Sequence, residues 1–69
     1  MKLKYRILLA SETYPPDVNG AAIFVERLAR MLAENGHEVM VIAPNTTLED
    51  RWENVQRNFK ILRIKTVSL

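Results

Sequence analysis

The chain has 69 residues, 48% of them apolar and 26% charged, with a formal net charge of +2. That composition excludes a disordered or fibrous chain and allows one small domain, which buries only about 60% of its unfolded surface. Without cysteine it has no disulfide and no thiolate metal site, as suits the cytoplasm, and no Arg-rich run with interleaved aromatics marks a nucleic-acid partner.

The basic start, Met1 to Arg6, imitates the head of a signal peptide. The apolar run behind it stops at Ala10, short of the ~7–15 residues of a signal core. It reads as a mature N-terminus entering a strand, Tyr5 to Ala10. The centre of that strand, Ile7-Leu-Leu9, is continuously apolar, which suits a strand buried on both faces of a parallel sheet. No apolar run approaches the ~20 residues of a membrane span.

Ser11 to Gly20 is a loop. Pro15 and Pro16 end any regular element and force extended backbone at Tyr14 and Pro15. Asp17, Asn19 and Gly20 are turn formers; Gly20 can take a positive φ, and Asn19 can cap a following helix. Ala21 to Asn35 has helical periodicity, with Ala21, Phe24, Val25, Leu28, Ala29, Met31 and Leu32 on one face. Glu26 and Arg30 stand at i,i+4 in the favourable order. Gly36 is the expected left-handed stop. Ile23 falls on the polar face. It is either a harmless exposed side chain or a contact for a further domain or a substrate.

Glu38 to Ala43 is a second apolar strand, ended by Pro44 and Asn45. Strand, helix and strand make a right-handed βαβ unit with parallel strands. From Thr46 to Asn58 the recurrence of Leu48, Trp52, Val55 and Phe59 predicts a short helix, with Thr47 and Asp50 at its start and Trp52 as packing anchor. Phe59 to Lys65 reads as a third strand. Its charges at Lys60, Arg63 and Lys65 place it at a sheet edge. The expected fold is α/β, a partial Rossmann-like parallel sheet of order 3-2-1, built as β-α-β-(short α)-β.

No G-x-G-x-x-G and no G-x-x-x-x-G-K-[ST] motif is present, and no acidic residue ends the second strand. A nicotinamide dinucleotide site is therefore not expected. His37, the one histidine, stands between a helix stop and a strand and reads as a polar turn residue, not a base or a metal ligand. Glu12 and Asp17 are two loop acids, and an acid/base pairing of them is the weaker reading. No catalytic residue, metal or cofactor is implied. What remains is the Asn19-Gly20 corner. It opens a helix whose N-terminus carries partial positive charge, just beyond the carboxyl end of a parallel strand. Phosphate contact and a merely structural turn are both open there.

Three stretches carry a resemblance: Ser11-Glu-Thr-Tyr-Pro-Pro-Asp-Val-Asn-Gly20, Arg27-Leu-Ala-Arg30, and Asn35-Gly-His-Glu-Val-Met-Val-Ile-Ala-Pro44. In order and spacing they resemble the start of the retaining, nucleotide-sugar-dependent glycosyltransferases of family 4. The resemblance implies the N-terminal part of a GT-B enzyme, with two Rossmann-like domains facing across a cleft. It assigns Gly20 and Asn19 to the loop facing the donor diphosphate, although the family's pair of glycines is here Asn19-Gly20. It places Glu12, Tyr14 and Ile23 near the acceptor side. Residues 1–69 are then an N-terminal fragment, without the C-terminal donor-binding domain and inactive alone. The partners are a nucleotide-sugar and an acceptor hydroxyl, with no nucleic acid. The location is cytoplasmic, with the inner face of the membrane as an option. An open apolar edge near Leu8 offers a route to self-association. The alternative functions are a stand-alone nucleotide- or phosphate-binding α/β module and a non-catalytic interaction protein.

Overall fold

The computed structural model describes residues 3–45 and 50–65. The elements run β1 (Arg6–Ala10), α1 (Gly20–Glu34), β2 (Glu38–Asn45), β3 (Arg51–Gln56) and β4 (Phe59–Lys65). The first three are the expected βαβ unit. β1 pairs parallel with β2, Leu8 opposite Met40, and β2 pairs parallel with β4, Val41 opposite Ile61.

The segment after β2 departs from expectation. Residues 51–56 form a strand, not a helix, and pair antiparallel with β4 through a turn at Arg57-Asn58. Thr47 and Leu48, assigned to that helix, lie outside the described residues. The sheet is therefore mixed, with order β1-β2-β4-β3 instead of 3-2-1. β4 is an interior strand, and the edges are β1 and β3. The cause is tertiary. The helical spacing of Trp52, Val55 and Phe59 also fits a hairpin with a register shift between Asn54 and Gln56, which places Val55 at a bulge. Pairing along β4 bonds the inward-facing backbone groups of residues 51–56, and short-range periodicity does not decide against such pairing. Trp52 anchors no helix: it stands 53% exposed on the hairpin.

α1 covers one face of the sheet. It begins at Asn19, whose side chain accepts from the Ala22 N–H at 2.8 Å. It ends with Gly36 at φ 92°. The Gly36 N–H donates to Ala33 O and the His37 N–H to Leu32 O, the paired bonds of a Schellman stop. The expected Glu26–Arg30 pair forms at 3.7 Å. The buried helix face is rotated from the expected one. Ala22, Ala29 and Ala33 are buried, whereas Phe24 and Met31 are exposed. Ala29 and Ala33 let the helix lie close against Val39, Val41, Ala43, Phe59 and Ile61, with Val25, Leu32 and Leu9 at the margin. These strand residues alternate along β2 and β4, so they share one sheet face.

The other face is uncovered among the described residues. Leu8, Met40, Ile42 and Trp52 line a broad hollow of about 680 Å³ there, with Arg6, Glu38, Arg57 and Lys60 around it. Asn58 fastens the hairpin turn to the helix end: its Nδ2 donates to Ala33 O at 2.8 Å and to His37 O at 2.9 Å. His37 is the expected turn residue. Its Nδ1 accepts from the Tyr5 N–H at 3.1 Å and its ring lies against the Tyr5 ring. No helix among the described residues is long and apolar enough to cross a membrane.

Candidate functional site

The loop between β1 and α1 emerges at the carboxyl ends of the parallel strands, where open α/β sheets hold ligands. A shallow depression of about 470 Å³ opens at these strand ends, lined by Ala10, Ser11, Glu12, Ile42, Ala43, Pro44 and Ile64. The larger hollow on the open sheet face is lined by no residue of the loop; it is the exposed floor of a sheet.

The loop is held by its own side chains. The Ser11 hydroxyl donates to Thr13 O at 2.6 Å and accepts from the Thr13 N–H. The Thr13 hydroxyl donates to Asp17 Oδ2 at 3.0 Å and accepts from Asn19 Nδ2 at 2.9 Å. The Asp17 N–H donates to Tyr14 O at 3.0 Å. The Pro15-Pro16 peptide bond is cis. Asn19 thus uses both ends of its amide: one caps the helix and the other binds Thr13. Its backbone is extended, at φ −153° and ψ 165°. Gly20 is the first helical residue and does not use the positive φ open to it; among the described residues that conformation occurs at Gly36.

Two features make the corner receptive to an anion. A Cβ on Gly20 would meet nothing within 4 Å, so its backbone is open to a ligand. The Ala22 and Ile23 N–H groups are taken by Asn19, while those of Gly20 and Ala21 have no protein acceptor among the described residues. The first turn of α1 carries no acidic side chain, so the partial positive charge of the helix end is uncompensated from within that turn. Asp17 opposes this, though its carboxylate accepts from Thr13.

The other predicted residues divide. Glu12 lines the depression, and Ile23 is exposed on the first turn of α1. Tyr14 belongs instead to the core: it is buried against the helix and sheet residues. Burial is the main cause that pushes its phenol above the ordinary value, with Glu26 adding to it. The Asp17 carboxylate is engaged by Thr13 and not by Glu12.

Arg63, expected as a charge on an edge strand, lies at the site instead. It is 8% exposed and reaches across from β4 to the loop. Its Nη2 donates to Pro15 O at 2.6 Å and its Nε to Glu53 Oε1 at 3.2 Å, and its guanidinium lies 5.4 Å from the centre of the Tyr14 ring. A signal existed. Phe59, Ile61 and Arg63 alternate with Lys60, Leu62 and Ile64, which puts Arg63 on the face of Phe59. That face could be recognised as the core only with β4 in the sheet interior.

A βαβ unit with a capped helix start at the strand ends is an α/β architecture that many kinds of protein share, and sequence comparison narrows the class to glycosyltransferases of GT-B type. The family described as the starch synthase catalytic domain matches residues 6–68, and the chain belongs to that family. The chain is similar to a GDP-mannose-dependent alpha-mannosyltransferase of Mycobacterium tuberculosis (strain CDC 1551 / Oshkosh), 35% identical over 60 residues, or 86% of the chain and 16% of the relative. A protein of the same description from Corynebacterium glutamicum is 34% identical over 62 residues, 90% of the chain and 15% of the relative. One from Mycolicibacterium smegmatis is 44% identical over 41 residues, 59% and 11% respectively. The chain therefore spans less than a fifth of the length of these relatives. No solved structure matches it significantly. The resemblance carried by the Pro-Pro loop and the Gly-His-Glu-Val stretch holds at the level of a GT-B glycosyltransferase.

Proposed function

We propose that the chain forms the N-terminal part of an enzyme that transfers a sugar from a nucleotide-sugar donor to an acceptor hydroxyl with retention, and that mannose from GDP-mannose is the sugar moved. The GDP-mannose dependence of the relatives supports the donor. The observation that carries the reading is the helix start: Gly20 open to approach, with the Gly20 and Ala21 N–H groups free of protein acceptors and aligned by the Asn19 cap. These groups receive the donor diphosphate, and Asn19 holds them in place. Glu12 in the depression and Ile23 beside the loop face the acceptor side; buried Tyr14 acts there through the loop it anchors. The remaining donor contacts and the catalytic groups belong to a second domain. A cytoplasmic location accompanies this reading.

Backbone amide resonances of the chain titrated with GDP test it. Shifts concentrated at Gly20 and Ala21 are expected; a response confined to other residues, or none, sinks the loop assignment. Incubation of the 69-residue chain with GDP-mannose and an acceptor should give no transfer, and turnover would refute its inactivity alone. A second reading, self-association through β1, is favoured by one observation: β1 is a sheet edge, with Leu8 59% exposed.

A further inference from the structure

We propose that Arg63 is the positioning residue of the donor loop, and that Glu53 on β3 sets Arg63; this rests on the donor-loop reading above. At the middle of the loop Pro15 and Pro16 have no N–H, so that stretch makes no backbone donation of its own. The Pro15 carbonyl, beyond the reach of the loop's own side-chain bonds, takes its donor from outside. Arg63 supplies it from the sheet. Its Nη2 donates to Pro15 O at 2.6 Å, and its Nη1 donates to Pro44 O at 3.4 Å, at the end of β2. Its guanidinium also faces the Tyr14 ring at 5.4 Å. One planar group thus ties the loop, by a carbonyl and an aromatic ring, to the end of a central strand.

The charge is buried and must be compensated. Glu53 does this, with Oε1 accepting from Arg63 Nε at 3.2 Å and Oε2 from Arg51 Nη2 at 2.9 Å. From Pro15 the loop's bonds run on: the Tyr14 carbonyl accepts from Asp17, Asp17 from Thr13, and Thr13 from Asn19, which caps the helix. Arg63 therefore stands at the far end of a continuous series of contacts that terminates at the Ala22 N–H, in the same helical turn as Gly20 and Ala21. Lysine has one charged nitrogen and no fork, so it cannot reproduce the separate bonds to Pro15, Pro44 and Glu53.

The test compares wild type, Arg63→Met, Arg63→Lys and Glu53→Gln by amide hydrogen exchange and by titration with inorganic pyrophosphate. In Arg63→Met, exchange at Asp17 and Ala22 should rise about tenfold while Val41 and Ile61 in the central strands stay unchanged, the pattern of local opening. Pyrophosphate binding, read at Gly20 and Ala21, should weaken about tenfold, with Arg63→Lys intermediate. Should Arg63→Met not fold, the same loop-to-core exchange ratio in Arg63→Lys and Glu53→Gln decides. The proposal is overturned if loop exchange is unchanged, if loop and core rise together as for a merely structural contact, or if the variant binds pyrophosphate as wild type does. If wild type itself shows no pyrophosphate response, the donor reading falls, and the exchange ratio alone decides the positioning role.

Discussion

Tyr14 and Gly36 show how single positions set local geometry here. The phenol of Tyr14 is held protonated by burial in the folded state. In the unfolded chain it ionises near its ordinary value of about 10. Above that pH the unfolded state has lost a proton that the folded state keeps, so stability falls as pH rises. Below about pH 10 the contribution is fully present. The stability difference between wild type and Tyr14→Phe, from urea unfolding between about pH 8 and 11, should therefore shift against wild type as pH rises. Parallel curves would exclude this role for Tyr14. Gly36, at φ 92°, has open space for a Cβ, so Gly36→Ala is limited by backbone conformation and not by packing. The expected cost is about 1 kcal/mol, or roughly 4–8 °C in Tm for a domain of this size. An unchanged Tm would mean that the helix stop does not need the left-handed residue.

At the scale of elements, the β3–β4 hairpin is what joins core, loop and sheet edge. Phe59 opens β4 fully buried, next to Val41 and Ile61 in the core. Phe59→Ala should cost about 3–5 kcal/mol. A chain this small has a total stability of roughly 3–10 kcal/mol at ~0.05–0.15 kcal/mol per residue, so the variant should lose most of its folded population in a far-UV circular dichroism melt. Trp52→Thr makes the contrast. On an exposed strand position threonine keeps β-propensity, and a cost under about 1 kcal/mol is expected. A large loss at Trp52 would mean that its side chain packs more tightly than its exposure indicates. Arg63 and Glu53 also belong to this scale, since their pairing requires both hairpin strands.

For the whole molecule, the unbalanced layers matter. One face carries α1, and the other leaves Leu8, Met40 and Trp52 exposed. Sheets built from parallel strands are ordinarily covered on both faces, and an open edge with apolar neighbours promotes association. Sedimentation velocity of the isolated chain should therefore show concentration-dependent association that Leu8→Lys abolishes. If the variant associates as strongly as wild type, β1 is not the contact.

The sequence by itself determined the βαβ unit, its loop and its helix ends. Those depend on residues acting on their own neighbourhood: prolines that remove donors, an asparagine that caps, a glycine that tolerates positive φ, and apolar runs long enough for a strand. It also carried the family, because Ser11–Gly20 and Asn35–Pro44 hold recognisable spacing. Only the tertiary structure decided what residues 51–65 do. Trp52, Val55 and Phe59 satisfy helical spacing and a bulged hairpin equally, and the choice falls to hydrogen bonds between segments that no local pattern contains. The same non-local pairing moved β4 from the edge to the interior, and with it turned Arg63 from a surface charge into the buried cation that reaches Pro15. The burial of Tyr14 and the rotation of the α1 contact onto Ala22, Ala29 and Ala33 were decided in the same way, by which surface the sheet presented.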